Sequence, residues 1–391
     1  MINSVPYLIF VFFYVLLFTY SIFIQTDKYD LFKIRVFCIV LCVLFLGCRG
    51  FIGWDWYNYF VTFDEVPRIT SKELWGYFGN TLMEPGFILY CSVIKFFTNN
   101  YHVLTLVNTL IDLVFLNWFL KKYLPPKYYA FGFTAYFFFG GFYFETDLLR
   151  NARSFFIFLF SIKYIEEKKT GSYYLLNLLG LFFHLSSIIY LFVYKVLNFN
   201  IKRSVFIVIV ILGNILFLFR IEFVKPIILF VANLIGGRLT YLANVYFTED
   251  VQSYGFSIGF VERNLVALMV LIYFNEIKSY NKAYNIFINS YFIYFILFFF
   301  FSEVSVLSIR FGLLFYFSYW ILIPIIFDLI KSRLFKSVYL TFVISFFFLK
   351  MFGMTREINY SYENILIDNS DYYRKKVDFE EFLNKNNDKK N

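Results

Sequence analysis

The chain has 391 residues, 60% of them hydrophobic and only 16% charged, with a mean hydropathy of +0.65 and a formal net charge of +9. Soluble domains carry about 25% charged residues, so these values exclude a soluble globular protein and predict an all-α polytopic membrane protein. Lys and Arg sit mostly in short loops, where they orient helices, and no nucleic-acid surface is read from the basic balance.

Residues 1–6 contain no Lys or Arg, and no small-residue cleavage pattern follows the apolar run 7–24. A first transmembrane helix with its N-terminus outside is therefore expected, not a cleaved leader. A span needs about 20 apolar residues, and the candidates along the chain are 7–24, 33–48, 84–97, 102–119, 128–143, 152–166, 173–197, 204–220, 257–274, 286–301, 311–330 and 337–353. About 11–13 transmembrane or re-entrant helices follow from that pattern. Residues 1–353 read as one membrane domain with two outer-face loops, 49–83 and 221–256, the latter partly helical. Residues 354–391 form a charged tail, expected to be partly mobile. Cys38, Cys42, Cys48 and Cys91 all lie in or beside apolar segments without metal-type spacing, and Cys38 and Cys42, four apart on one helix face, read as inert small hydrophobes.

Lys28, Lys33 and Arg35 place the first loop in the cytoplasm and hence 49–83 outside. The later basic clusters agree with simple helix counting only if the short 84–97 segment is re-entrant and 173–197 breaks near His184. Irregular backbone at membrane depth is tolerated where protein or a wet cavity covers it, so both irregularities point to a site. After Arg49 comes Gly-Phe-Ile-Gly-Trp-Asp-Trp-Tyr-Asn-Tyr-Phe, in which Asp55 is flanked by Trp54, Trp56, Tyr57 and Tyr59. Such rings suit the C–H faces of pyranoses; an aromatic belt at the headgroups is the alternative.

The scarce polar residues Asp55, Glu84, Glu145, Asp147, Arg150, Arg153, His184, Glu303 and Arg310 collect toward the outer side. An ionisable group at mid-helix costs about 2.5–3.5 kcal/mol on insertion scales. Pairing Asp147 with Arg150, or Glu303 with Arg310, does not account for Arg49, Arg150, Arg153 and Arg310 together with His184. Guanidinium forks grip phosphate oxygens, and Arg150 and Arg153 lie three apart at the start of a helix, where anions are favoured. These four arginines are the candidate diphosphate ligands, and Trp54, Trp56, Tyr57, Tyr59 and Asp147 the candidate sugar contacts. Asp55, Glu84 and His184 are the candidate bases. His184 ranks first because an imidazole ordinarily titrates at about 6.5, Asp55 second, and Glu84 is assigned a chiefly structural role. A satisfied core histidine is the alternative for His184. Phe223, Ile227, Phe230 and Leu234 form an amphipathic stripe that predicts an interfacial lid, with Arg238 and Tyr241 facing the cavity; a plain surface loop is the alternative. No Asp-x-Asp pair, phosphate loop, His-Glu-x-x-His or Gly-x-Ser-x-Gly motif occurs, so no metal or other cofactor is expected.

Arg49-Gly-Phe-Ile-Gly-Trp-Asp-Trp-Tyr-Asn-Tyr-Phe, Glu84-Pro-Gly-Phe, Asp147-Leu-Leu-Arg-Asn-Ala-Arg, Phe183-His-Leu-Ser-Ser, and Arg310 ahead of Tyr316-Phe occur in that order. Together they resemble the EpsG-type branch of the Wzy polysaccharide polymerases, over roughly residues 7–327. Asn151 departs from the glutamine expected after the arginine but keeps the amide. The resemblance implies a GT-C-like glycosyltransferase of the bacterial inner membrane, multi-pass, with its active site facing the periplasm or exterior. Its substrates would be undecaprenyl-diphosphate-linked oligosaccharides, joined without a metal, with a chain-length regulator and a flippase as partners. An O-antigen ligase-type enzyme would use the same donor and differ in acceptor. A lipid-linked oligosaccharide flippase would place its charges along a central pathway between two pseudo-repeated halves.

Overall fold

The computed structural model describes residues 2–24, 27–81, 83–237, 240, 256–367 and 371–388. Among them the chain is helical, with a single isolated bridge between Arg49 and Asn364 and no strand. The protein is an all-α polytopic membrane protein. It divides into two units, Met1–Phe192 with Val338–Asn391, and Val193–Ser337.

In the first unit the opening helix Val5–Phe23 buries Tyr7, Phe10, Val11, Tyr14 and Phe18. This is the three- and four-residue spacing of one helical face. Ile9, Phe12, Phe13 and Leu16 on the other side are exposed, so the helix is apolar all round, as a lipid-facing helix must be. Flat rings supply the packing on the buried side. Phe10 stacks on Phe45 with centroids 4.0 Å apart, Phe18 on Phe131 at 4.6 Å, and Tyr14 on Phe133 at 5.4 Å.

Three described helices, Val5–Phe23, Tyr101–Tyr123 and Arg333–Met354, are long and apolar enough to cross a membrane. Ile258–Ile272 with Phe274–Tyr280 makes a fourth candidate, bent by 70°. Fewer uninterrupted spans result than the sequence pattern predicts, because many apolar runs are broken. Lys28–Cys42 runs into a π-helical turn, Val43–Gly47, and Tyr129–Tyr136 into another, Phe137–Gly141, where Phe139 and Gly140 leave helical geometry. Leu149–Glu166 is 18 residues long but carries Arg150, Arg153 and Lys163. The break expected near His184 falls at that residue: Thr170–Leu181 ends, His184 is extended at φ −162 and ψ 131, and a short 3-10 turn Leu185–Ile188 follows. Residues 49–83 contain two short helices, Trp56–Glu65 and Glu73–Asn80.

The segment after Met354 is built into the first unit. Gly50 N–H donates to the Glu363 carbonyl, Ile365 N–H to the Cys48 carbonyl and Gly53 N–H to the Asn359 carbonyl, each at 2.9 Å. At the start of the charged segment, residues 359–365 thus bind the backbone of 48–53, whose donors and acceptors would otherwise lack partners. A helix, Tyr372–Asp388, follows.

In the second unit, Phe317–Leu329 is almost wholly buried despite Pro324. Asn289 Nδ2 lies within 3.0 Å of the carbonyls of Val196, Leu197 and Phe199, which Ile189–Asn198 leaves without helical partners at its end. Glu303 accepts from the N–H groups of Phe223, Val224 and Lys225, capping Val224–Ile235 as an anion at a helix N-terminus. Its carboxylate serves that helix rather than Arg310, which corrects the pairing considered from sequence. Val224–Ile235 has 12 residues, too few to span, and Ile227, Phe230 and Leu234 form an exposed apolar stripe along it. Arg238 and Tyr241 lie outside the described residues.

Within the first unit, Asp112 and Arg153 form an ion pair, both side chains almost completely enclosed, and Arg153 Nη2 also donates to the Asn108 carbonyl at 2.9 Å. Removing one member of a buried pair strands the other charge, at a cost of about 3–5 kcal/mol. Asp112→Ala should therefore destabilise the detergent-solubilised protein by that order, read from thermal or denaturant unfolding. An Asp112→Leu, Arg153→Met double variant should recover much of the loss. Wild-type stability in Asp112→Ala would refute the assignment.

Candidate functional site

Glu84 is the N-cap of Pro85–Phe97, with Pro85 at the first helical position, where no N–H is needed. The Gly86 N–H donates to the Phe182 carbonyl at 2.7 Å, and a Cβ at Gly86 would lie 2.6 Å from that oxygen. Only glycine lets the start of this helix approach the 182–184 break so closely. The contact brings Glu84 beneath His184, 100 residues further along the chain.

The Glu84 carboxylate then receives three donors. Oε1 lies 2.7 Å from His184 Nδ1 and 3.3 Å from Leu185 N, and Oε2 pairs with Arg150 Nη1 at 2.5 Å. A carboxylate only accepts, so His184 Nδ1 carries the proton it shares with Glu84, and in the neutral imidazole Nε2 is left as an acceptor. The Tyr59 hydroxyl lies in the electrostatic surroundings of the Arg150 guanidinium, whose Nε has no hydrogen-bond partner. The three side chains keep between 16% and 22% of their surface exposed. They are thus partly shielded yet reachable.

Asp147 braces the loop beside this cluster. Oδ1 accepts from Trp54 N–H, and Oδ2 accepts from the Tyr360 hydroxyl at 3.0 Å and the Thr146 hydroxyl at 2.8 Å. The Tyr59 hydroxyl donates to its backbone carbonyl at 3.1 Å. Gly53 has φ +99, and a Cβ there would run into Asp147 Oδ1. The aspartate thus takes the place of a side chain at Gly53 and fixes the turn into Trp56–Glu65.

The structure distributes the sequence candidates unevenly. Glu84, His184 and Arg150 come together, with Tyr59 adjoining. Arg153 is committed to Asp112, and Arg49 is buried at 2% exposure with Nη1 donating to the Leu46 carbonyl at 2.5 Å, so neither guanidinium is offered to an open cavity. Arg310 is exposed and belongs to the other unit. Asp147 is buried in loop bracing rather than presented to a sugar. Of the aromatic set, Trp54 is exposed and Tyr57 half-buried, whereas Trp56 and Tyr59 sit in a hydrophobic cluster with Phe51, Phe63 and Phe87. Asp55 is half-buried at the start of Trp56–Glu65, and its carbonyl accepts from Tyr59 N–H. Glu84 holds the centre of the cluster and orients His184, a larger part than the structural one assigned from sequence. Sequence reasoning missed Asp112 and Tyr360. A carboxylate inside a 23-residue apolar helix was a readable signal for Asp112; Tyr360, more than 200 residues from Asp147, offered none.

Fold and cluster together define a polytopic membrane protein whose polar site is assembled where helices start and break. The sequence profile of the EpsG family matches residues 32–367. The chain belongs to the EpsG family, which is associated with Wzy-type polymerases. A search of curated proteins found no match, and a search of solved structures found none either.

Asp147 lies between helices, and burial pushes its carboxyl up to about 6 against the opposing hydrogen bonds from Trp54, Thr146 and Tyr360. An unfolded aspartate titrates at about 3.9, so between these values the native state binds more protons. The contribution of Asp147 to stability is greatest below about pH 4 and is lost as pH rises through about 6. Asp147→Asn carries no charge at any pH. Its unfolding temperature relative to wild type should rise as pH goes from about 4 to about 7. A pH-independent difference between the two proteins would exclude titration of Asp147 in that window.

Proposed function

We propose that the protein is a polysaccharide polymerase of the bacterial inner membrane that joins oligosaccharide repeat units carried on undecaprenyl diphosphate at the outer face. The observation that carries the reading is the Arg150–Glu84–His184 cluster in a chain of the EpsG family. Glycosyl transfer needs a base for the acceptor hydroxyl and positive charge for the leaving diphosphate. Glu84 holds Nδ1–H and turns Nε2 outward as the base. The acceptor oxygen bonds to the anomeric carbon of the donor chain, and the bond from that carbon to the diphosphate oxygen breaks. The electron pair leaves with the diphosphate, and the hydroxyl proton passes to Nε2. Arg150 keeps one arm on Glu84 and offers the rest of its fork to phosphate oxygens.

Deleting the gene should leave single repeat units on the lipid or its acceptor, visible by electrophoresis and mass spectrometry of the glycan. Loss of all surface glycan would instead favour a ligase or a flippase. On purified lipid-linked units, His184→Ala should lose most turnover, about 10²-fold or more for a general base, and Arg150→Lys should fall markedly because a point charge does not replace a fork. Retention of most turnover by His184→Ala with an unchanged pH profile would remove His184 and leave Asp55 as the base.

A further inference from the structure

The first unit holds a second polar recess, a cavity of about 410 Å³ walled by Phe51, Trp56 and Phe379, with Asn359 and Asp378 supplying polar groups. That volume falls in the range of small-molecule sites, about 300–1,000 Å³. One side comes from the loop before Trp56–Glu65 and the other from the tail helix Tyr372–Asp388. The rings stand edge to face or tilted, Phe51 on Trp56 at 4.8 Å and Trp56 on Phe379 at 5.9 Å. Asn359 is 7% exposed, its carbonyl accepts from Gly53 N–H, and its side-chain Nδ2 has no hydrogen-bond partner. A buried amide donor without an acceptor calls for an explanation, and a ligand oxygen supplies one.

The charge pattern selects the ligand class. Arg374 and Lys375 also border the cavity, but both pair with Glu363, at 2.9 and 3.1 Å, and their charge is engaged there. Asp378 adds a carboxylate, which disfavours phosphate. Aromatic walls, one amide donor and one carboxylate acceptor fit the C–H face and hydroxyls of an uncharged pyranose. Trp56 shares its helix with Tyr59, whose hydroxyl donates to the Asp147 carbonyl and neighbours the Arg150 guanidinium, so one helix runs from the cavity wall to the surroundings of the Glu84 cluster.

We propose that this cavity is a saccharide subsite that binds one sugar of the lipid-linked repeat unit, with the tail helix as its specificity wall. The proposal rests on the glycan substrate of the polymerase reading and adds to it where recognition occurs. The family profile ends at residue 367, so Asp378 and Phe379 come from a segment beyond it. The Glu84 cluster lies within the matched region, whereas this wall of the cavity lies outside it.

The test uses full-length protein in detergent, titrated with the oligosaccharide released by mild acid from the host's lipid-linked repeat unit. Binding is followed by tryptophan fluorescence and by saturation-transfer NMR. Wild type should bind saturably, and Phe379→Ala and Asn359→Leu should weaken binding about tenfold or more through loss of a ring face or the amide donor. Asp378→Asn, a conservative change on an exposed residue, should weaken it less while eluting as wild type. Unchanged affinity in Phe379→Ala and Asp378→Asn, or no saturable binding by wild type, overturns the subsite whatever the deletion strain shows. Weakened binding in these variants, combined with normal polymer in the deletion strain, keeps the subsite and removes the polymerase reading.

Discussion

Within an apolar helix bundle, a polar group is costly unless a partner meets it. The first unit satisfies this constraint by joining its polar residues across helix ends and breaks. Arg153 meets Asp112 from a neighbouring helix, and Glu145 meets the hydroxyls of Thr109 and Tyr136. Asp147 meets a loop and the returning tail, and Glu84 meets Arg150 and His184. Each of these pairings fixes the position of a segment that would otherwise slide along featureless aromatic packing. The Glu84 contact has the longest reach in consequence, because it locks the start of Pro85–Phe97 against the break at His184 and fixes the Nδ1 edge of the imidazole.

Exposure separates the sealed pairs that hold the fold from the cluster that solvent can reach. Arg153 and Asp112 are sealed off, with 5% and 0% of their side chains exposed. In a medium of low dielectric such a pair is a fastening, since any competing anion would have to displace a partner already desolvated. The Glu84 cluster is held by similar chemistry but stays partly open to solvent. The contrast also explains why counting arginines in the sequence overstates how many guanidinium groups are open to a ligand. Charge in the sequence does not reveal which guanidinium is already engaged.

Much of the architecture was legible because the signals are local. Apolar runs of the right length mark helices, Pro85 after Glu84 marks a helix start, and Phe-His-Leu-Ser-Ser marks a break, each through propensities acting over a few residues. That His184, Glu84 and Arg150 find polar partners follows from the rule that ionisable groups at membrane depth are retained when they pair or work. The number of spans was less legible, because a π-helical turn such as Phe137–Gly141 interrupts an apolar run without changing its composition. How the start of the tail is held was not legible for a related reason. Its charged composition resembles a disordered segment, yet residues 359–365 are held by backbone hydrogen bonds, which composition does not encode.

The sequence by itself determined that this is an all-α membrane protein of the EpsG family, and which short motifs carry its scarce polar groups, because hydropathy and motif order are properties of the chain read in one dimension. Tertiary structure decided which of those groups meet. It gave Glu84 to His184 and Arg150, Asp112 to Arg153, Glu303 to a helix N-terminus, and Tyr360 to Asp147. Those partners lie between 41 and 213 residues apart, and their encounter depends on close approaches, such as Gly86 on the Phe182 carbonyl, that only the packed helices bring about.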